Sequence, residues 1–430
     1  MKGDRVHVFV APDTTYSGPV RYSLRLIFRH IDGELIFSDN ADDAHLVFDH
    51  DHNRSEPLAI DFYQAYSDNS LWLSHENWMT SGPWLQDAKG NKDLIATIFY
   101  MVNCLQERNA PDTEIDQFGR FKYSASYQFK YQCITDNLVL GNCSSLATQW
   151  RLPQKAASPS RIHLSHDIDA LRGSLLQTSY HLVKHGRFAD AIRNAVKLNF
   201  QPYDNLKDLE EINDSHDLKT TYFFIPKQGR GAYGIKNADY SLDRMKQAVA
   251  ELSKHGNEIG LHKSSVKTPL AEELSAMPTG TAFNRYHFLA HQPHSDWKLM
   301  EQAGITVDCS LGFAEHYGFR NSYGLPFRPY DPESGEAMKL VISPLHIMDG
   351  TLWGYMSMNL GDIPLHLIDF LEKNRENTII SILWHNTSIT DIPFYGLRKT
   401  YHELLTHISK NQFVSVLCSD IKQEFEACQD

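Results

Sequence analysis

From about residue 161 onward, short apolar runs alternate with longer amphipathic stretches. The runs Ile162–Ser165, Thr220–Pro226, Glu258–Leu261, Tyr286–Leu289, Thr306–Ser310, Leu340–Leu345, Thr378–Trp384 and Phe413–Leu417 read as strands, several of them apolar enough to be buried on both faces. Between them, helical spacing predicts helices over Ser174–Phe200, Leu206–Asp214, Leu242–His255, Leu270–Met277, Ser295–Ala303, Pro364–Lys373 and Tyr395–Ser409, with Gly304 as a C-cap. Strands separated by helices imply βαβ units and a parallel sheet. Seven or so strands within roughly 270 residues predict closure into a barrel.

The first part of the chain has a different rhythm. Val6–Val10, Glu34–Phe37 and His45–Phe48 read as strands, and Tyr22–His30 as a short amphipathic segment. A helix is predicted over Asp93–Glu107, where Leu94, Ile95, Ile98, Phe99, Val102 and Leu105 form one stripe. Tyr123–Tyr131 alternates aromatic and polar residues, as an edge strand or hairpin does. Leu152–Ser160 has the composition of a linker. The expectation is a smaller α/β domain over residues 1–155, carrying no chemical motif, followed by a (β/α) barrel over 160–430.

Composition narrows the function class. A length of 430 residues suits two domains, and 42% hydrophobic with 22% charged residues describes an ordinary soluble chain. The net charge, 41 − 53 = −12, argues against a nucleic-acid surface, which needs clustered Lys and Arg. No run approaches the ~20 apolar residues of a membrane helix, and Met1–Arg5 leads into no apolar signal core. The six cysteines (Cys104, Cys133, Cys143, Cys309, Cys418, Cys428) are scattered without a CxxC pair. That pattern predicts reduced thiols and a cytoplasmic location.

Candidate chemistry gathers at strand ends. Arg161–Asp169 finishes in two carboxylates, Asp167 and Asp169, and strand residues two apart project to the same side. His262, Arg285 and His287, His346 and Asp349, and His385 and Asn386 follow or flank later strands. Barrel strands point their carboxyl ends at one mouth, so these residues can converge. An Asp pair with several imidazoles suits metal-assisted hydrolysis or proton transfer at a carbonyl. Singly, each has a structural alternative: a turn-capping Asp, a satisfied core His, an ion-paired Arg.

Other segments have plainer readings. Asp49–Asn53 reads as a solvated loop rather than a metal site. Gly318–Tyr330 is either a packed loop or an aromatic wall for a sugar. Gly229–Gly234 lacks the G-K-[ST] ending of a phosphate loop and reads as a flexible loop. With 22 histidines in the chain, the His-x-x-x-His spacings at His181/His185 and His287/His291 are expected by chance.

The motif order over about residues 160–420 resembles the polysaccharide deacetylases, the NodB homology domain of carbohydrate esterase family 4. Leu164–Asp169 (LSHDID) is similar to a variant of the family's first motif, and His255–His262 (HGNEIGLH) to its second. Arg285–Phe288 sits where R-x-P-Y is expected, Pro344–Asp349 with Trp353 resembles the fourth motif, and Leu383–His385 the last. Residues 93–120 resemble an uncharacterised domain that precedes divergent members.

The resemblance implies a distorted (β/α) barrel and a hydrolase of non-peptide C–N bonds that deacetylates an N-acetylated sugar or glycan precursor. Asp167 would be the general base, His385 the acid that protonates the leaving amine, and Arg285 the group that orients the base. Asp169 and His262 would hold a divalent metal, most often zinc. The family's second metal histidine falls at Val266 here, and a catalytic zinc normally takes three protein ligands. His287 is the candidate replacement. Two alternatives stay open: a metal-free hydrolase of a small amide or ureide on the same fold, and a carbohydrate-binding protein with a decayed site.

Overall fold

A computed structural model describes residues 4–184, 186–195, 201–278, 280–390 and 395–427. Cys428, His185 and the end of the Ser174–Phe200 prediction lie outside them. In chain order the strands are β1 (Asp4–Val10), β2 (Gly33–Ser38), β3 (Leu46–Phe48), β4 (Leu85–Gln86), β5 (Lys92–Asp93), β6 (Arg161–Ile168), β7 (Thr221–Phe224), β8 (Glu258–Lys263) and β9 (Phe283–Tyr286). They continue with β10 (Val307–Asp308), β11 (Tyr330–Asp331), β12 (Glu336–Ala337), β13 (Val341–Ile342), β14 (Ile347–Met348), β15 (Ile379–Leu383) and β16 (Val414–Ser415).

The chain divides into two compact units. The first comprises Met1–Ser158 with Gln292–Trp297 and Phe319–Lys339. It contains the parallel sheet β2-β1-β3, the antiparallel pairs β4–β5 and β11–β12, and a helix over Leu94–Val102 that is buried along nearly its whole length. Asp93 caps that helix by accepting the Ala96 N–H at 2.8 Å. The predicted single helix over Asp93–Glu107 is broken at Cys104, whose φ of 52° is left-handed, and a 3-10 turn covers Leu105–Glu107. Tyr123–Tyr131 is not a strand: Ser126 caps a helical turn over Tyr127–Lys130 by accepting the Phe129 N–H. Burial of adjacent Tyr127 and Gln128 outweighs the alternating pattern.

Gly318–Tyr330 supplies no aromatic wall, because Phe319, Tyr323 and Phe327 are buried. Arg320 in this loop makes a bidentate pair with buried Glu107, at 2.9 and 2.6 Å. Around Asp49–Asp51, three potential ligand groups lie close together, but His50 and Asp51 are exposed, as in a solvated loop.

The second unit comprises Pro159–His291, Lys298–Gly318 and Leu340–Asp430. Its sheet runs β13-β10-β9-β8-β7-β6-β15-β14, with β16 also pairing β6, and every pairing is parallel. The ends of this path are β13 and β14, which are neighbours in sequence. Seven inter-strand spacings in a flat sheet would separate them by about 34 Å, whereas the link from Ile342 to Ile347 reaches about 17 Å at most. The sheet therefore curls until its edges nearly meet. The Ser343 and Leu345 N–H groups bond back to Asp308 and Leu311, and the next, His346, bonds across to Ser381. This is the barrel closure that the alternating pattern predicts, in the distorted form that the resemblance implies.

Ser241 caps the helix over Leu242–Lys254, and Gly304, at φ 86°, follows the one over Pro293–Gln302. The strand predicted over Tyr286–Leu289 ends earlier, because Phe288 and Leu289 turn sharply at φ 61° and 54°. Gly229–Gly234 is tied down rather than loose. Gly231 lies so close to Ser265 Oγ that a Cβ would sit 1.7 Å from it, and Ala232 N–H bonds to the Ser265 carbonyl.

Candidate active site

Alternation along β6 sets the layout. His163, Ser165 and Asp167 share one face, while His166 faces the other way, bonded through Nδ1 to the Trp384 carbonyl at 2.7 Å and through Nε2 to Asn213 at 2.9 Å. Burial pushes the His166 imidazole down to about 4, so it is a neutral core group. Asp169 follows the end of β6 and remains about a third exposed.

On β8, Gly260 and His262 share the face that meets Asp167. A Cβ on Gly260 would fall 2.4 Å from the Phe223 ring, so the glycine makes room for that ring. The guanidinium of Arg285 lies 4.5 Å over the same ring. Arg285 is fully buried and donates to Asp167 Oδ1 and Ser165 Oγ at 2.9 Å each, and to the Cys309 carbonyl at 3.0 Å. Its pairing with Asp167 compensates a carboxylate that is only 2% exposed.

His262 Nε2 lies 3.3 Å from Asp167 Oδ2 and 3.3 Å from Asp169 Oδ1. His287 Nε2 lies 3.7 Å from the same Asp169 oxygen. The other nitrogens are anchored: His262 Nδ1 on the Arg285 carbonyl at 2.9 Å, and His287 Nδ1 near Asn237 Oδ1 at 3.3 Å. Asp169 Oδ1 is buried yet accepts no hydrogen bond among the described residues. Two imidazoles oriented by outer partners and an oxygen left without a donor fit a divalent cation.

Electrostatics differ from ring to ring. Burial opposes protonation of His262, but Asp167 and Asp169 outweigh it and raise its pKa. At His287 burial wins and pushes the imidazole down to about 4. Burial would raise Asp169, but His287, His262 and His385 hold its carboxyl well below the usual range.

His385, one residue past β15, faces the opposite side of Asp169, with Nε2 3.7 Å from Oδ2. Its Nδ1 lies 2.6 Å from Asp349 Oδ1, and its backbone N–H donates to Asp349 Oδ2 at 3.1 Å. Burial alone would lower the His385 pKa; fully buried Asp349 overrides it and raises it to about 10. Asp349 in turn is held below the ordinary carboxylate range by His385 against its own burial.

The structure thus brings Asp167, Asp169, His262, Arg285, His287 and His385 together at the carboxyl edge of one parallel sheet. His346 does not join them: its Nδ1 accepts the Ser381 N–H at 3.0 Å inside the barrel seam. His291 turns back to the Leu289 carbonyl. Asn386 bonds to the Ala170 and Tyr203 carbonyls and ties loops together beside the mouth. Asp349 is one of the strand-end candidates of the sequence but was paired with no residue there, and Asn237 was given no role. Asp349 stood in the fourth motif and could have been paired with His385; Asn237, in a loop after β7, carried no local signal.

No family model matches the chain, and no curated protein does. Solved structures that it resembles include polysaccharide deacetylases. A structure from Mycobacterium smegmatis assigned to that class is 13% identical, covers 63% of this chain and 96% of its own, and has a TM-score of 0.41. The Bacillus cereus polysaccharide deacetylase Bc1974 is 11% identical over 60% of this chain and 93% of its own, at 0.31. BA3943, a carbohydrate esterase family 4 pseudoenzyme from Bacillus anthracis, is 10% identical over 62% and 66%, at 0.26. No helix among the described residues is long and apolar enough to cross a membrane.

Proposed function

We propose that the second unit is a hydrolase of non-peptide C–N bonds that removes acetyl from an N-acetylated sugar or glycan precursor. The observation that carries this reading is the two-sided environment of Asp169. One oxygen faces His262 and His287, and the other faces His385 with its buried Asp349 partner.

Asp169, His262 and His287 would hold a divalent ion, zinc being the expected one. When bound, it would polarise the acetamide carbonyl and favour negative charge on its oxygen. Asp167 accepts a proton from the attacking water, while Arg285 holds one carboxylate oxygen and fixes the direction of the other. His385 Nε2 gives its proton to the departing amine, and Asp349 keeps the ring oriented and stabilises its protonated form. The sugar assignment draws on the motif order from Leu164 to His385, and His287 takes the place that Val266 leaves empty in that order.

The test is acetate release from a panel of N-acetylated mono- and oligosaccharides, with the protein chelated and then reloaded with zinc. Zinc-restored turnover that Asp167→Asn abolishes supports the reading. Turnover indifferent to chelators would replace it with a metal-free amide or ureide hydrolase. Sugar binding without acetate release under any divalent metal would replace it with a binding protein.

A further inference from the structure

A second cluster of ligand-type side chains lies inside the same barrel, away from the mouth. His163 precedes Asp167 by four residues on the same face of β6, about 13 Å deeper at strand rise. Cys309 follows β10, and Cys418 opens the helix Cys418–Ala427 after β16, which pairs with the start of β6. All three residues are inaccessible, and their ligand atoms lie within 4.8 Å of one another.

We infer that His163, Cys309 and Cys418 form a second, structural metal site for a thiolate-preferring divalent ion such as zinc. Zinc bonds of about 2.3 Å to sulfur and 2.0–2.1 Å to nitrogen, at tetrahedral angles, put sulfurs about 3.8 Å apart and sulfur about 3.6 Å from nitrogen. Here Cys309 Sγ is 3.7 Å from Cys418 Sγ, and Cys418 Sγ is 3.5 Å from His163 Nε2. Two of the three separations match coordination spacing, and the third is within 4.8 Å.

A hydroxyl adjoins two of the three groups. Thr221 Oγ1 lies 3.2 Å from His163 Nε2 and 3.8 Å from Cys418 Sγ. Behind it, Glu258 Oε2 is 3.3 Å from that hydroxyl, and the same carboxylate accepts the Cys418 and Ser419 N–H groups at 2.8 and 3.0 Å. Such outer partners orient first ligands and tune them. Two thiols and an imidazole, all fully buried, suit a structural rather than a catalytic zinc.

Charge balance agrees. Binding releases the two thiol protons to solvent, and two thiolates with a neutral imidazole and a divalent cation sum to zero, which a dry interior tolerates. The ion would clamp β6, the end of β10 and the start of the final helix, elements far apart in sequence. The inference is independent of the activity proposed above.

The test uses the full chain produced in cobalt-supplemented medium. A near-ultraviolet thiolate-to-cobalt charge-transfer band reports this site alone, because the Asp169 cluster contains no sulfur. The expected result is a band of one cobalt per chain, lost at least tenfold in Cys418→Ala and Cys309→Ser and retained in Asp169→Asn. No band in the wild-type protein, whether both thiols are free to alkylation after unfolding or are found joined as a Cys309–Cys418 disulfide, overturns the inference. The wild-type spectrum decides even if a cysteine variant fails to fold.

Discussion

Replacing Asp349 with Asn keeps the side chain's shape and removes its charge. Asp349 is fully buried, and its Oδ1 is 2.6 Å from His385 Nδ1. The amide oxygen can keep one of the two backbone N–H groups that Asp349 accepts, from His385 at 3.1 Å or from Gly350 at 2.8 Å, and the other is left facing an NH2 group, so the denaturant midpoint is measured beside the rate. What disappears is the anion that favours a protonated imidazole with Nε2–H aimed at the mouth. General-acid assistance is worth about 10²–10⁴ in rate, or about 2.7–5.4 kcal/mol at 1.36 kcal/mol per decade. Asp349→Asn should therefore lower kcat for acetate release by that factor, with KM changed by less than about threefold. His385→Ala should match it, and the double variant should be no slower than the slower single, since the two residues act as one unit. An acetyl ester with a good leaving group, which needs no proton donor, should lose much less. A kcat within about threefold of wild type, or losses that multiply in the double variant, would refute the acid assignment.

Arg285→Met leaves Asp167 buried without its cation, so unfolding free energy should fall by about 3–5 kcal/mol, read from the denaturant midpoint. A loss under about 1 kcal/mol would mean that Asp167 is not paired as described. Asp169→Asn should abolish retention of the mouth's divalent ion in elemental analysis, while the fold, followed by circular dichroism, persists; unchanged metal content would remove Asp169 from the ligand set. Acid stability should report His166. Burial depresses its folded pKa to about 4, below the unfolded value of about 6.5, so the unfolded chain binds more protons between them. Its contribution is complete above about 6.5 and is lost as pH falls from there to about 4, by about 3.5 kcal/mol at 1.4 kcal/mol per unit. His166→Asn should flatten that part of the stability–pH curve measured by urea unfolding; an unchanged slope assigns the acid sensitivity elsewhere.

Local pattern made much of this protein readable from its sequence. Period-two alternation in Arg161–Asp169 marks which residues share a face, and turns and glycines mark where strands stop, because these signals depend on neighbours in the chain. Barrel closure followed from the same alternation of strands and helices. Tyr123–Tyr131 shows where pattern misleads: the same spacing suits a hairpin, and only burial of Tyr127 and Gln128 selects the helical turn.

Tertiary structure alone decided which strand-end residues meet. His287 reaches Asp169 because β9 stops at Tyr286 and the backbone turns at Phe288 and Leu289. His346 stands equally near a strand end but is drawn into the seam by Ser381. Cys418 lies 255 residues from His163 and 109 from Cys309, yet closure of the sheet brings their ligand atoms together. No local period encodes such pairings. They arise when strands distant in sequence are set side by side and the curl of the sheet turns their inward faces toward one another.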